Sequence, residues 1–441
     1  MKSVRDRGLY PRIHDPDLRS PLMQAGLVWS TLDSTELPPR LDGHTLRYSD
    51  PGDVLGLLAS TVGPPTGVCI LEDTVVGAAG WAGLPLHVQY EALTTRAAAF
   101  VAGAMNYLRV SGPDAACLLD MLTPKDVTRL PVNRGTFVLF TTPAGTVDNE
   151  AVVLRVGEDE YLLSCGGPTK APSWLPEARR AYPRVQVEQA GVACFNIKGP
   201  RRLEAMAQLI HADDRGALAG MRPFDACLMR TPRGVPVWVL KTKIGVEMWG
   251  DGAAMRESWF GILALPELVT PGAWDVLDVF RLECTDMVFG VYPIDLHGST
   301  TLWEVGSGWM VDPAKPGDYV GRAALAASRG ARRLWLAGLA ALDGSTGVPS
   351  LGQEVFTADG DFAGYVTTSA FSPRHGRPLA FAHLKPFCRP GESLVVDGAA
   401  WVATPLPMTD VDAVVADASS GNGSGDVDHA YLEAAAVGSP A

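Results

Sequence analysis

Residues 134–149 place the strongest constraint on the fold of this chain. Positions 137–141, Phe-Val-Leu-Phe-Thr, are aromatic, aliphatic or β-branched, which favours a buried strand. A turn marked by Gly145 follows, and Asp148 stands at the start of the next apolar run. The segment therefore predicts two neighbouring strands joined by a tight turn, with a carboxylate at the beginning of the second strand.

The composition is that of a globular protein with a large core. The chain has 441 residues, of which 47% are hydrophobic and 20% are charged, and this length predicts two or three domains. The formal net charge of -12 argues against nonspecific binding to nucleic acid or to an anionic membrane surface. Because no apolar stretch reaches about 18 residues, we expect no membrane-spanning helix.

The cysteine pattern predicts a reducing compartment. The seven cysteines are odd in number, and no two of them form a CxxC pair. The N-terminal residues are not followed by the apolar run of a secretory signal. We therefore expect a cytoplasmic protein without a metal site.

Changes in pattern divide the chain into four parts. Residues 1–70 contain many prolines and predict an ordered extension of irregular structure, with a small independent module as the alternative. Residues 71–330 alternate strand and helix signals, which predicts an α+β body. Residues 331–409 contain short strands separated by glycine and proline, which predicts a small β-barrel. Residues 410–441 are rich in Asp, Ser, Gly and Ala and predict a flexible acidic tail.

One strand–turn–helix pattern occurs twice within the body. The first, Val110-Ser-Gly-Pro-Asp-Ala, joins a predicted strand at 105–110 to a predicted helix at 115–122. The second, Ile197-Lys-Gly-Pro-Arg-Arg, joins a strand at 194–197 to a helix at 202–210. The repetition indicates two related halves, although coincidence also explains a pattern of this length.

The other periodic segments predict the remaining elements. Helices are expected at 47–60 and 94–103. Strands are expected in the body and in the barrel, at 137–141, 150–156, 161–164, 335–342, 353–357, 364–368, 378–384 and 393–396.

Short motifs between about residues 75 and 400 resemble, in the same order, those of the glycine-cleavage T-protein (aminomethyltransferase) family. They are Ala79-Gly80-Trp81, Val88-Gln89-Tyr90, Val110-Ser-Gly-Pro-Asp-Ala, the 134–149 segment, Asn196-Ile-Lys-Gly-Pro, Gly245-Val-Glu247, Arg281-Leu-Glu283, Leu302-Trp-Glu304-Val-Gly-Ser-Gly-Trp309 and Thr368-Ser-Ala-Phe-Ser-Pro373. The resemblance implies an α+β fold, with a pseudo-duplicated folate-binding domain and a small C-terminal β-barrel. It also implies tetrahydrofolate as the cofactor.

Several positions depart from the family pattern. Gly103-Ala104-Met105 replaces S-H-M, Leu240-Lys-Thr-Lys-Ile-Gly replaces the Y-T-G-E-D-G loop, Asn149 replaces the second Asp of D-D, and Cys165 replaces the Asn of V-N-A. The changed loop argues against classical glycine cleavage. Glu247-Met-Trp249-Gly250 instead resembles the E-x-W-G of the tetrahydrofolate-dependent aromatic O-demethylase branch.

The resemblance implies roles for two carboxylates. Glu247 would anchor the pterin, because a buried carboxylate can accept N–H bonds from the 2-amino group and from N3. Asp148 would act near N5 and N10, by stabilising a cationic nitrogen or by relaying a proton, with Asn149 as its neutral neighbour. The alternatives are a solvent-facing Glu247 and a turn aspartate that accepts from the local backbone.

Three further residues are candidate cofactor contacts by the same resemblance. Arg281 would pair with a carboxylate or carbonyl near the cofactor, or form a structural ion pair with Glu283 or Glu304. Trp249 would stack on the substrate or pterin, or belong to the core. Cys165 would touch the pterin, or be a plain core residue.

These residues predict a tetrahydrofolate-dependent transferase that moves a methyl or methylene group between a small molecule and folate, for example by O- or N-demethylation. One alternative is aminomethyl transfer of the glycine-cleavage type, which would require a carrier protein. The other is a non-catalytic folate-binding scaffold. That branch carries K-G-C-Y-x-G-Q-E, and Lys315-Pro-Gly-Asp-Tyr319-Val-Gly-Arg322 lacks its Cys and Gln. The expected partner is a small one-carbon donor or acceptor, and neither nucleic acid nor a membrane.

Overall fold

A computed structural model describes residues 27–30, 51–71, 74–103, 105–167, 173–287, 290–291, 294–342, 344 and 346–419. Its α-helices are α1 (Pro51–Val62), α2 (Leu86–Thr95), α3 (Ala115–Met121), α4 (Leu175–Ala181), α5 (Arg202–Gln208), α6 (Arg215–Gly220), α7 (Gly252–Leu263), α8 (Trp274–Glu283), α9 (Arg322–Ala327) and α10 (Val411–Ser419). Short 3-10 helices lie at Ala212–Asp214, Gly308–Met310 and Ser328–Gly330. No helix in these ranges is long and apolar enough to cross a membrane.

The strands form three open sheets and a closed barrel. The N-terminal sheet contains β1 (Leu27–Ser30), β2 (Pro65–Leu71) and β3 (Thr74–Trp81). The five-stranded sheet, in the order β6-β7-β8-β5-β9, contains β5 (Met105–Ser111), β6 (Arg134–Thr141), β7 (Val147–Gly157), β8 (Glu160–Gly166) and β9 (Gln186–Gln189). The six-stranded sheet, in the order β11-β12-β13-β10-β4-β14, contains β4 (Ala97–Val101), β10 (Ala193–Lys198), β11 (Ala226–Arg230), β12 (Pro236–Lys241), β13 (Val246–Gly250) and β14 (Val269–Pro271).

The six-stranded and five-stranded sheets each bury both faces. One face of the six-stranded sheet packs in a large core with residues of α5 and α7, and one face of the five-stranded sheet packs in a core with α3 and α4. The opposite faces meet in a third apolar cluster. There Tyr107 and Leu162 from the five-stranded sheet contact Cys194, Leu240 and Trp249 from the six-stranded sheet. Side chains on these inner faces therefore lie between the two halves of the body.

The predicted strand–turn–helix pattern is present in both sheets. β5 leads through Gly112 into α3, and β10 leads through Gly199 into α5. Both glycines have positive φ, 119° at Gly112 and 104° at Gly199. A Cβ at Gly112 would lie 2.1 Å from the carbonyl oxygen of Arg184, and one at Gly199 would lie 2.7 Å from that of Arg96. Each turn therefore requires glycine, which explains why the same short motif recurs.

The predicted helix at 94–103 is wrong. α2 ends at Thr95, and the chain continues as β4 from Ala97. Ala97, Ala98 and Ala99 are fully buried, because β4 lies inside the sheet between β10 and β14. Pairing on both sides and complete burial outweigh the helix propensity of alanine, which is worth less than about 1 kcal/mol per residue.

The N-terminal part of the chain packs on the body. α1 falls where a helix was expected, and its Val54 and Leu58 belong to the core of the six-stranded sheet. The β2–β3 hairpin crosses the boundary predicted at residue 70, so that boundary divides a single structural unit. Residues 1–26 and 31–50 of the predicted extension lie outside the described residues.

The C-terminal barrel is closed, in the order β15-β18-β17-β16-β19-β20, and this confirms the predicted α+β fold with a small barrel. Its strands are β15 (Trp335–Ala341), β16 (Glu354–Thr357), β17 (Phe362–Ser372), β18 (Arg377–Leu384), β19 (Ser393–Val396) and β20 (Ala399–Thr404). The sequence pattern did not predict β20, which pairs with β19 and β15 and closes the barrel.

The predicted flexible tail begins with an ordered helix instead. Val411 and Val415 of α10 share an apolar cluster with Leu379 and Phe381 of the barrel. The acidic composition therefore did not predict this short amphipathic helix, whose apolar side packs on the barrel. Residues 420–441 of the predicted tail lie outside the described residues.

A buried ion pair joins the body to the barrel. Arg281 of α8 donates from Nη2 to Asp295, and both side chains are fully buried. Asp295 also accepts from Thr367 Oγ1 at 2.6 Å and Thr368 Oγ1 at 2.9 Å, both on β17. His383 Nε2 of β18 lies 2.9 Å from the main-chain oxygen of Asp295. The carboxylate therefore has partners from two parts of the fold, as a buried charge requires.

We predict that Asp295→Ala strongly destabilises the protein, because it leaves the Arg281 guanidinium buried without its main partner. The expected loss is about 3 to 5 kcal/mol, the range for breaking one partner of a buried pair. Differential scanning calorimetry of the full chain measures it. Glu204→Ala, which removes the exposed partner of Arg201, is the control and should leave the unfolding temperature nearly unchanged. An unchanged unfolding temperature for Asp295→Ala would contradict the role of the pair.

Candidate functional site

Glu247 is held by its neighbour on the same strand. Glu247 and Trp249 are two residues apart on β13, so both side chains lie on the inner face of the six-stranded sheet. Trp249 Nε1 donates to Glu247 Oε2 at 2.8 Å. The indole is buried and packs edge-to-face on Tyr107, with ring centroids 5.6 Å apart. Trp249 therefore orients Glu247, and its predicted role as a stacking surface does not fit this burial.

Lys198 lies beside Glu247. In the β10–β13 register Asn196 is opposite Glu247, which places Lys198 on the same face and one diagonal step away. Lys198 passes over Gly245, where its Nζ is 3.6 Å from the position that a Cβ would take. The ammonium also lies 5.0 Å from the centre of the Phe280 ring. A separation of 3.6 Å is an ordinary van der Waals distance, so the lysine side chain packs beside Gly245.

The electrostatics of this pair show two opposing effects. Burial raises the pKa of Glu247, while the Trp249 N–H and the Lys198 charge lower it. Burial lowers the pKa of Lys198 to about 8, while Glu247 raises it. Each group therefore stabilises the charged form of the other against the cost of removal from water.

Asn196 completes the polar part of this face. Its Oδ1 is buried and has no hydrogen-bond partner among the residues that the structure describes. Phe100 is its neighbour on β4, and Glu247 is its neighbour on β13. An unpaired acceptor therefore lies next to a carboxylate.

Asp148 stands near the start of β7, as predicted. Its side chain is partly buried, and Oδ1 accepts from Ser173 Oγ at 2.6 Å. Glu150 is two residues further along β7 and therefore on the same face. Burial lowers the pKa of Arg281, but the charges of Asp295 and Asp278 raise it. The Glu150 charge also raises this pKa, by a smaller amount, so Glu150 lies near Arg281. This face of β7 is thus directed toward α8.

Arg281 forms a structural ion pair, but with other partners than the sequence suggested. Nη1 donates to Asp278 at 2.7 Å and Nη2 donates to Asp295. Glu283 instead accepts from Tyr90 at 2.7 Å. Glu304 instead accepts from main-chain nitrogens, including that of Thr301 at 2.8 Å. Arg281 acts within the protein, and a direct contact with a cofactor does not fit its two carboxylate bonds.

Two predicted contacts face away from this site. Asn149 follows Asp148 on β7, so its side chain lies on the opposite face. Its Nδ2 donates to the Gly166 carbonyl at 2.9 Å, and its Oδ1 accepts from the Glu150 N–H at 2.7 Å. Cys165 is buried in the core beneath the helices, where burial raises its pKa to about 12. Asn149 and Cys165 therefore lie on the face of the five-stranded sheet opposite to Asp148, and their contact with the cofactor stays a prediction.

Asn196 and Lys198 were not among the predicted site residues. Along β10 the polar residues Asn196 and Lys198 alternate with the apolar Phe195 and Ile197. This period of two indicates a strand with polar groups on one face, and the face itself is buried between two sheets. Ala104, which belongs to the Gly103-Ala104-Met105 motif, lies outside the described residues. Within the described ranges no group of His, Cys, Asp and Glu side chains could hold a metal.

Comparisons with known proteins agree with this architecture. The family model for the GCVT N-terminal domain matches residues 85–315, which is just over half of the chain. An aminomethyltransferase of Streptomyces coelicolor is 29% identical over 334 residues, covering 72% of this chain and 87% of that protein. An aminomethyltransferase of Symbiobacterium thermophilum is 27% identical over 311 residues, covering 67% of this chain and 80% of that protein.

A solved structure shows the same fold. The crystal structure of the glycine cleavage system aminomethyltransferase T from Bartonella henselae matches with a TM-score of 0.69. The sequence identity is 17%, and the match covers 81% of this chain and 97% of that chain.

We predict that Lys198→Met raises the pKa of Glu247 further, because the substitution removes a positive charge and leaves the carboxylate equally buried. Carbon-13 NMR of glutamate carboxyl groups, recorded against pH, measures this change. Lys243→Met alters an exposed lysine of the nearby β12–β13 turn and is the matched control. An unchanged Glu247 titration in Lys198→Met would show that the two groups are not coupled.

Proposed function

The chain belongs to the family of the GCVT N-terminal domain, and we propose on this basis that it is a tetrahydrofolate-dependent one-carbon transferase. The family match confirms the resemblance that the motifs indicated. Tetrahydrofolate is the cofactor of this family. The observation that supports the proposal most is Glu247, a carboxylate held by Trp249 on the buried inner face with Lys198 beside it.

The polar groups of the site match the donor edge of a pterin. The 2-amino group and N3 of the pterin present N–H donors in one plane. Glu247 is an acceptor-only group in its ionised form, and Asn196 adds a second acceptor without a partner in the described part of the chain. Phe280, which is partly buried beside Lys198, provides apolar surface for a flat ring. These residues would hold the cofactor through Glu247.

Asp148 is the candidate for the chemical step. When bound, tetrahydrofolate supplies N5 and N10 as the nitrogens that accept or release the one-carbon unit. The Asp148 carboxylate would stabilise positive charge near those nitrogens or take up one proton. Ser173 donates to Oδ1 of Asp148 at 2.6 Å and orients the carboxylate. The partial exposure of Asp148 leaves it accessible to a small substrate.

A small O- or N-methylated molecule is the proposed donor. The β12–β13 turn carries Lys241, Thr242 and Lys243 in place of the acidic family loop. The Thr242 main-chain N–H bonds the Gly245 carbonyl at 2.9 Å, and Lys241 Nζ donates to the Met221 carbonyl at 2.6 Å. This short turn carries no carboxylate. The loss of the acidic Y-T-G-E-D-G loop supports a donor other than a carrier-bound aminomethyl group.

Aminomethyl transfer is the second candidate. It is supported by the relatives from Streptomyces coelicolor and Symbiobacterium thermophilum, both of which are aminomethyltransferases. This reaction would require a carrier protein that presents the aminomethyl group. The two candidates share the folate site and differ only in the donor.

We predict that Glu247→Gln weakens tetrahydrofolate binding by about 10-fold to 100-fold. The substitution removes a charged acceptor, whose hydrogen bonds are worth about 1.5 to 3 kcal/mol. Isothermal titration calorimetry measures the dissociation constant. Glu188→Gln, on the exposed side of β9, is the control and should bind as the wild type does. Absence of binding to a folded wild-type protein would refute the proposed function.

We predict that Asp148→Asn retains folate binding and slows the transfer step by about 10²-fold to 10⁴-fold, the usual contribution of one acid–base group. The rate is measured by transfer of labelled carbon from methoxy-aromatic compounds, methylamines and an aminomethyl-loaded lipoyl carrier. The donor that supports turnover distinguishes the two candidate reactions. Folate binding without transfer from any of these donors would favour a non-catalytic scaffold.

A further inference from the structure

Asn196 is an unusual residue for the place that it occupies. It lies in β10, in the interior of the six-stranded sheet, where the chain on both sides of it is largely apolar. Its Oδ1 is buried and lacks a hydrogen-bond partner within the described ranges. A buried acceptor without a donor is costly, and native proteins contain few of them. A donor from outside the protein chain would remove this cost.

The sheet register places that acceptor next to Glu247. Asn196 and Glu247 are directly opposite in the antiparallel β10–β13 pair. Side chains at such positions share a face, and their Cβ atoms lie about 4.5 to 5.5 Å apart. On the other side of Asn196, the opposite residue of β4 is Phe100, which offers no polar group. The amide and the carboxylate are therefore adjacent acceptors on one surface.

Glu247 by itself cannot satisfy the donors of a pterin. The planar 2-amino group carries two hydrogens, and N3 carries a third on the same side as one of them. A carboxylate accepts the N3 hydrogen and the nearer amino hydrogen as a pair. Trp249 already donates to Glu247 Oε2, which reduces what this carboxylate can accept further. The second amino hydrogen requires an acceptor from another residue.

We propose that Asn196 recognises the 2-amino group of the pterin, with Oδ1 accepting the amino hydrogen that Glu247 does not take. The inference rests on the proposed function and extends it to a specificity determinant of the same site. Asn196 and Glu247 together select a ring that has an amino group next to a ring N–H. A ring without the amino group offers Asn196 Oδ1 no donor, so the acceptor keeps the surroundings that the described residues give it.

A pair of ligands tests this assignment. The dissociation constants of tetrahydrofolate and of its 2-desamino analogue are measured by calorimetry for the wild type, Asn196→Ala and Asn196→Leu, the last of which keeps the side-chain volume. The wild type should prefer tetrahydrofolate by about tenfold or more. Both variants should lose the part of this preference that Asn196 carries, through weaker binding of tetrahydrofolate and with little change for the analogue. The part that comes from the amino hydrogen on Glu247 should remain.

Thermal unfolding of the free proteins separates a ligand role from a structural one. Because Asn196 Oδ1 has no partner in the described chain, Asn196→Ala and Asn196→Leu should unfold at or above the wild-type temperature. An unchanged preference for tetrahydrofolate in both variants, or an equal loss of affinity for both ligands, would overturn the assignment of Asn196. Failure of the wild type to bind tetrahydrofolate would instead overturn the proposed function.

Discussion

The buried pair of Arg281 and Asp295 is the interaction on which the arrangement of the molecule depends. Two charges are removed from water, and hydrogen bonds from neighbouring residues offset that cost. Those neighbours come from α8, from the segment that follows it, and from β17 and β18 of the barrel. α8 also carries Phe280, against which Lys198 lies. The pair that docks the barrel thus also fixes one wall of the candidate site.

The cost of removing a charge from water also acts on Glu247 in the candidate site. Burial raises the pKa of Glu247, and Trp249 and Lys198 oppose this rise. Asp295 accepts hydrogen bonds from Arg281, Thr367 and Thr368, whereas Asn196 Oδ1 beside Glu247 has no partner in the part of the chain that the structure describes. In our account this difference separates the residues that hold the fold from those that hold a ligand.

The sequence predicted what depends on local pattern and missed what depends on pairing between distant segments. Four strands of the five-stranded sheet, β5 to β8, follow from their alternation, whereas β9 was not predicted, and both glycine turns follow from one motif. β4 was predicted as a helix because its burial is imposed by β10 and β14, which lie far along the chain. The ion-pair partner of Arg281, Asp295, was not predicted. Asp295 also accepts hydrogen bonds from Thr367 and Thr368 of the barrel, which are distant in sequence. The strand period itself, however, separates Asp148 from Asn149, since adjacent residues on β7 face opposite ways.

A crystal structure of the protein with bound tetrahydrofolate would test the central claim most directly. The account predicts the pterin between the two sheets of the body, with its 2-amino group and N3 about 3 Å from Glu247 and with N5 and N10 on the side of Asp148. A pterin bound elsewhere, or bound with its amino edge away from Glu247, would contradict the account.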